Sequence, residues 1–365
     1  MSAPAPLRIV VCEGDETGQE LLCAALRVLD PDVVGLACEL VTFDLSLAER
    51  RRTDNDVVRA AAAAMRDVGL GLKAATITPP GADDVGSPNR ILRESVGGSV
   101  IVRTGRRIPG VPPVAPVVHP ITVVRMATGD AYGAEERRTG PPGGADERAV
   151  RTETISRRSC RQVAEHAFVL ASQTDAVVYG GPKWTVSTRY EAMLKEEMDA
   201  AARRHPAVVY RPVLLDAAYA GLLTESGTAP LVVPALNRDG DCLSDLVLAL
   251  FGSIAGAESV LMSFDDDGHT VVAMAEAPHG TAPSLQGKDV ANPMAMLLAC
   301  AATCEQAGAR GNAEAGPAAA AIRDATFGAA ADGVRTVDLG GHSSTTQVVD
   351  EVVRRVRAAR RQVTP

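Results

Sequence analysis

The sequence predicts an α/β fold with a largely parallel sheet. Three observations lead there. Short apolar runs that read as buried strands alternate with helix-length segments along the chain. A composition of 46% hydrophobic and 22% charged residues is that of a globular protein, and its 365 residues suffice for a substantial core in two domains or lobes. Neither G-x-G-x-x-G nor G-x-x-x-x-G-K-[ST] occurs, so the α/β pattern comes without a Rossmann dinucleotide or P-loop fingerprint.

Leu7 to Cys12 is the first buried strand. Gly14-Asp15-Glu16-Thr17-Gly18 then turns the chain, and Gln19 to Leu29 reads as an amphipathic helix. Cys38 to Phe43 is a second strand, and Asp54 to Val68 an Ala-rich helix opened by a capping Asp. Gly69 to Ile77 carries a strand to a break at Pro79-Pro80. Arg93 sits on a helix, whereas Arg103 and Arg125 end strand-like runs. Gly129 to Arg148, rich in Gly, Pro and charge, reads as a loop or extended arm without a core of its own. Helices are expected over Thr154–Ala171 and Arg189–Arg204, and strands over Ala176–Tyr179, Val208–Leu215 and Leu231–Pro234. Glu258–Phe264 and Thr270–Glu276 read as strands about an acidic turn, Asp265-Asp266-Asp267-Gly268, taken as structural. Asn292 caps a helix running from Pro293 through Cys304, and a Val- and Arg-rich helix closes the chain.

Composition excludes several functions. A net charge of −8 gives no general attraction to nucleic acid or anionic membrane, and 3% aromatics leaves few platforms for stacking bases. The core must be built from Ala, Val and Leu. Seven cysteines are scattered; Cys300 and Cys304 lie one helical turn apart, but no second pair completes a zinc site. Reduced, mostly buried thiols in a cytoplasmic protein are expected, with no signal peptide and no membrane-spanning run.

The stretch Asn237-Arg238-Asp239-Gly240-Asp241-Cys242-Leu243-Ser244-Asp245 concentrates carboxylates ahead of an apolar, helix-like run. With a helix beginning near Asp241, Asp241 and Asp245 lie one turn apart on one face. Two hard oxygen ligands without His or Cys suit Mg²⁺ or Mn²⁺. Taken alone, the stretch also fits an Asp-rich helix start favoured by the macrodipole. Arg93, Arg103 and Arg125 suggest a small polyanionic ligand, since guanidinium forks recognise carboxylates; Arg106 and Arg107 read as solvated surface.

These segments together resemble the β-decarboxylating dehydrogenases, the isocitrate, homoisocitrate and 3-isopropylmalate dehydrogenase family. The resemblance rests on Gly14-Asp15-(x)₂-Gly18-x-Glu20, Ser87-x-Asn89-x-x-Leu92-Arg93, Arg103, Arg125, Tyr132, Lys183, Asp216 and Gly240-Asp241-x-Leu243-Ser244-Asp245. It continues through Glu276-x-x-His279-Gly280-x-Ala282-Pro283, Ala291-Asn292-Pro293 and Asp338-x-Gly340-Gly341, in the family's order over nearly the whole chain. It implies two α/β lobes, 1–98 with 252–365 carrying most of the cofactor site, and 99–251 carrying the dimer interface with an arm at 129–153. It implies oxidative decarboxylation of a 2-hydroxy acid bearing a 3-carboxylate, with hydride passing to NAD(P).

By the resemblance, Asp241 and Asp245 of one subunit and Asp216 of the other hold Mg²⁺ or Mn²⁺ in a homodimer with shared sites. Lys183 accepts the hydroxyl proton, Tyr132 serves the protonation of the enolate, and Ser87, Asn89, Arg93, Arg103 and Arg125 bind substrate. Thr78, Glu276, His279, Gly280, Thr281, Ala282, Ser284, Leu285 and Asn292 are implied at the cofactor. Ser284-Leu285 supplies no cation for a 2′-phosphate, which favours NAD over NADP. Ser87 and Asn89 match the pattern that grips an acidic third arm, so an isocitrate-like substrate or a phosphonomethylmalate analogue is expected. The alternatives are a 3-isopropylmalate- or tartrate/malate-type dehydrogenase, or a non-catalytic subunit. Two departures stand out: Met126-Ala127-Thr128-Gly129 replaces the family's Glu-Asn-(Ser/Thr)-Glu after Arg125, and Glu16-Thr17 with Gln19 replaces its Gly-Ile and Pro.

Overall fold

The computed structural model describes residues 6–80 and 84–363. The chain divides into two compact units. One takes the chain up to Gly98, Arg103–Val118 and everything from Leu246 on; the other takes Ser99–Val102 and His119–Asp245. The expected boundaries were 98/99 and 251/252; residues 103–118 and 246–251 instead cluster with the first unit.

The first unit opens with β1 (Leu7–Glu13), α1 (Glu16–Leu26), a short α2 (Pro31–Val34), β2 (Cys38–Asp44), α3 (Leu47–Arg52), α4 (Asp56–Val68), β3 (Leu70–Lys73) and α5 (Pro88–Ser95). β1 runs parallel to both β2 and β3. Ile9 to Cys12 are wholly or almost wholly buried, because a parallel strand is covered on both faces. Two expectations shift here. Asn55 in the left-handed region, rather than Asp54, precedes α4, and β3 stops at Lys73, well short of Ile77. Gly14 is obligatory: a Cβ there would lie 2.1 Å from the Ala75 carbonyl oxygen.

β4 (Val100–Gly105) carries the chain across the division between units. The second unit then builds β5 (Ile121–Met126), a hairpin of β6 (Glu135–Thr139) and β7 (Arg148–Thr152), α6 (Arg157–Thr174), β8 (Val177–Tyr179), α7 (Tyr190–Arg204), β9 (Tyr210–Arg211), α8 (Leu215–Glu225), β10 (Leu231–Ala235) and the start of α9 (Asn237–Leu250). β10 lies between β5 and β8 with both pairings parallel, and β9 joins the far side of β8. Of the two expectations, loop or extended arm, the second holds: β6 and β7 pair antiparallel as a sheet of their own, and their residues are exposed apart from a half-covered Val150. The run Val208–Leu215 forms a strand only at Tyr210–Arg211, since Pro212 interrupts it.

The first unit closes with β11 (Ser259–Phe264), β12 (Thr270–Glu276), α10 (Met294–Ala309), α11 (Ala315–Ala331) and α12 (Thr345–Val363). β11 and β12 are antiparallel, and β12 runs parallel to β3. The turn between them is held by Asp265, whose Oδ1 accepts from the amides of Asp267 and His269 at 3.0 and 2.8 Å. Met294 through Cys304 are all buried. Small residues allow that: a Cβ on Gly308 would come within 3.0 Å of the Gly316 amide, so α10 and α11 approach almost backbone to backbone. Ala295, Ala299, Ala301 and Ala302 are among those buried residues. Among the described residues no helix is long and apolar enough to cross a membrane.

Candidate active site

In the second unit, β8 ends at Tyr179, and the turn through Gly180 and Gly181 delivers Lys183. Its backbone N–H donates to the Glu191 carboxylate in the first turn of α7, which fixes the turn. Its ammonium lies 2.6 Å from Asp216, in the first turn of α8. That hydrogen bond holds the Asp216 carboxyl below its usual range.

The second group gathers on β5 and α9. Helix α9 begins at Asn237, a full turn before the expected start, so Asp241 and Asp245 stand on established helix rather than at its tip. The extra turn has a cause outside the stretch: the buried Asp130 carboxylate accepts from the Arg238 amide at 2.9 Å and so caps the helix. The other Asp130 oxygen accepts from the Tyr190 hydroxyl at 2.9 Å. Asn237 is buried; its Oδ1 accepts from Arg125 Nε and Nη2 at 3.0 and 2.8 Å, and its Nδ2 donates to Gly129 O at 2.9 Å. Arg125 Nη1 reaches Asp241 Oδ1, and the Tyr132 hydroxyl donates to Asp241 Oδ2 at 2.8 Å. The Arg125 guanidinium lies 5.6 Å from the centre of the Tyr132 ring. Burial, with the adjoining Asp241 carboxylate, pushes the Tyr132 phenol up to about 12. Gly240 is required because a Cβ there would lie 2.8 Å from the Arg125 stem. Asp245 is exposed.

Thus Lys183 meets Asp216, and Arg125 and Tyr132 meet Asp241. Among the described residues, Asp216, Asp241 and Asp245 do not form a group with ligand oxygens mutually within 4.8 Å; that spacing is met by the exposed Asp265, Asp267 and His269.

In the first unit, Glu276 ends β12 opposite Lys73 at the end of β3. Lys73 Nζ donates to Glu276 at 3.2 Å and to Ala74 O at 2.9 Å, with both side chains buried. Burial alone would raise the Glu276 carboxyl, but the charges of Lys73, Arg93 and Arg103 outweigh it and leave it lowered. Arg93 and Arg103 therefore lie in one electrostatic neighbourhood, and Arg103 Nε donates to Ser259 Oγ at 3.2 Å. Arg106 is not solvated surface: it forks onto Glu258 at 3.0 and 3.2 Å. Ser87 makes no side-chain capping bond to α5, and Asn89 Oδ1 is buried without a partner.

The expected cofactor segment follows β12. His279 Nδ1 lies 2.9 Å from Gly280 O, while its Nε2 is buried and unpartnered. Thr78 and Gly280 are exposed, Thr281 and Ala282 half-buried, and Ser284 and Leu285 exposed on a 3-10 turn, Pro283–Leu285. Asn292 is committed within the chain: its Oδ1 accepts from the Met294 amide at 3.0 Å and its Nδ2 donates to Asp338 at 2.9 Å. Hard oxygens at Asp241 and Asp245 fit Mg²⁺ or Mn²⁺, and the unpartnered buried atoms of Asn89 and His279 fit polar ligand contacts.

Lys73, Asp130, Tyr190, Glu191 and Asn237 escaped the reading of the sequence. Asn237 opened the acidic stretch and Lys73 ended an apolar run; nothing local marked the others.

The family profile described as "Isocitrate/isopropylmalate dehydrogenase" matches residues 8–352. The 3-isopropylmalate dehydrogenase of Methanothermobacter thermautotrophicus is 27% identical over 348 residues, 95% of this chain and 98% of that protein. The NADP isocitrate dehydrogenase of Thermus thermophilus is 30% identical over 292 residues, 80% of this chain and 56% of that longer protein. Among solved structures, isocitrate dehydrogenase from Methylococcus capsulatus has the same fold, with a TM-score of 0.84 at 23% identity over 96% of this chain and 99% of that one.

Proposed function

Because the chain belongs to the isocitrate/isopropylmalate dehydrogenase family, and is therefore an NAD(P)-linked, metal-dependent decarboxylating dehydrogenase, we propose that its substrate is a 2-hydroxy acid with a 3-carboxylate and a polar or anionic γ-arm. One observation carries the choice of arm. Ser87 and Asn89 stand at the N-terminal, electropositive end of α5, with the Ser87 hydroxyl unused as a cap and an Asn89 amide oxygen buried without a partner. Rotation of that amide turns its N–H groups to the same position, where they donate to a carboxylate or phosphonate. An isopropyl group there would leave the amide unpaired. Isocitrate and a phosphonomethylmalate analogue both meet the requirement.

The roles follow from chemistry. Arg93, Arg103 and Arg125 bind the carboxylates and orient the C2 hydrogen. Lys183 accepts the proton of the C2 hydroxyl. Tyr132 protonates the product carbon after CO₂ leaves. Asp241 and Asp245, with Asp216 of a second copy, would hold the divalent cation, which when bound withdraws charge from the C2 oxygen while NAD accepts hydride. NAD is preferred over NADP because Ser284 and Leu285 offer no cation to a 2′-phosphate. A homodimer is supported by the exposure of Asp216, Ala217, Ala220 and Leu223 along α8, and by a lone hairpin that two strands hardly stabilise by themselves. Localisation is proposed as cytoplasmic.

The test is turnover by purified protein with Mn²⁺ and NAD or NADP, offering isocitrate, 3-isopropylmalate, tartrate and a phosphonomethylmalate in turn. NADH and CO₂ are measured together, with Lys183→Met as control. Equal yields of NADH and CO₂ on a polar-armed acid are expected. A strong preference for isopropylmalate overturns the polar-arm reading, and NADH without CO₂ overturns decarboxylation.

A further inference from the structure

We propose that Thr17 and Glu20 of α1 are positioning residues for the dinucleotide, because they anchor the two ends of the exposed turn, Ala282 to Gly287, that carries Ser284 and Leu285. The inference rests on the cofactor assignment above. Every residue from Pro283 to Val290 is exposed, so burial does not hold this segment in place. Its internal bonds, Leu285 N–H to Ala282 O at 3.0 Å and Lys288 N–H to Leu285 O at 3.2 Å, shape the turn without attaching it to anything. Attachment comes from elsewhere. The Thr17 hydroxyl donates to Ala282 O at 2.8 Å, and the Gly287 amide donates to Glu20 Oε1 at 2.9 Å. Further on, the Asp289 carboxylate accepts from Thr346 N and Oγ1 at 2.9 and 2.8 Å.

Thr17 and Glu20 are three residues apart in α1 and so share a face. Thr17 is 2% exposed, which keeps water from competing for the Ala282 carbonyl. Ala282 has φ 46°, a left-handed conformation that a residue with a Cβ adopts only when its surroundings hold it. An aliphatic side chain at position 17 would have no hydroxyl to hold it; the threonine of this chain does. The anchors preform the turn in the free protein, and without them cofactor binding must order it.

The test uses the full chain, and its binding and exchange measurements need no substrate. Calorimetry gives the Kd for NAD and NADP in the parent, Thr17→Val, Thr17→Ser and Glu20→Ala, and hydrogen exchange follows the amides of Leu285 to Lys288 without cofactor. Loss of one such bond raises the NAD Kd about threefold to tenfold in T17V, speeds exchange across the turn, and is reversed in T17S. In steady state the change falls on KM for NAD rather than on kcat. Glu20→Ala, at an exposed bond, repeats the effect should T17V fold poorly. A Kd and exchange pattern in T17V and E20A within twofold of the parent overturn the proposal alone. A parent that binds neither dinucleotide overturns the cofactor assignment and this proposal with it.

Discussion

Asn237, an uncharged member of the acidic stretch, organises the site beside its carboxylates. One amide fixes the plane of Arg125 through two hydrogen bonds and ties down the backbone at Gly129 through a third. Replacing it by Leu strands a buried guanidinium edge, so Asn237→Leu is expected to lose about 1–3 kcal/mol of stability, read from urea unfolding, together with a raised substrate KM. Asn89→Leu addresses specificity. Removing the orphaned amide is expected to raise KM for a polar-armed acid about tenfold or more while favouring 3-isopropylmalate, in a comparison of kcat/KM on the two substrates. At this scale the sequence exposed residue types and spacings but not partners. Thr17 is separated from Ala282, and Lys73 from Glu276, by most of the chain. Asp130 followed a glycine in what looked like an unstructured arm, and only the folded chain brings it to the Arg238 amide.

Elements were more legible than their ends. Continuous apolar runs gave β1, β5 and β10, since a strand covered on both faces needs no alternation. The start of α9 was misplaced because Asn-Arg-Asp-Gly has the local chemistry of a turn, and a carboxylate from a distant segment converts it to helix. Helix α12 offers a test of local electrostatics. The Arg354 fork, with help from Arg355, overcomes partial burial and holds the Glu351 carboxyl down to about 2. A carboxyl lowered on folding contributes stability that is complete above its unfolded value, near 4.5, and disappears as pH falls towards about 2. Glu351→Gln is therefore expected to lower the melting temperature at about pH 6, with the difference from the parent shrinking as thermal melts are taken to about pH 2.

For the whole molecule, the alternation of strand and helix settled the fold class, and a run of spaced motifs settled the family. What one chain contains cannot be seen so directly, because Lys183 and Asp216 pair with each other rather than with Asp241. The shared-site reading makes a sharp prediction. Lys183→Met and Asp241→Asn, each inactive alone, should regain about a quarter of parental activity when co-refolded, since half the dimers are mixed and each has one intact site. No recovery, in mixtures shown by mass to contain the mixed dimer, would place lysine and aspartate in one subunit's site. Deleting the β6–β7 hairpin, residues 135–152, should yield a monomer by light scattering and abolish turnover.

The Lys183–Asp216 contact also bears on how a cation would be taken up. In the single chain each charge is satisfied by the other, at the surface. The base has its proton engaged, and the carboxylate is engaged by an ammonium that a stray ion must displace. On the shared-site reading an incoming cation competes with that ammonium for Asp216, so Lys183→Met is expected to tighten Mn²⁺ binding to the full chain, read by calorimetry.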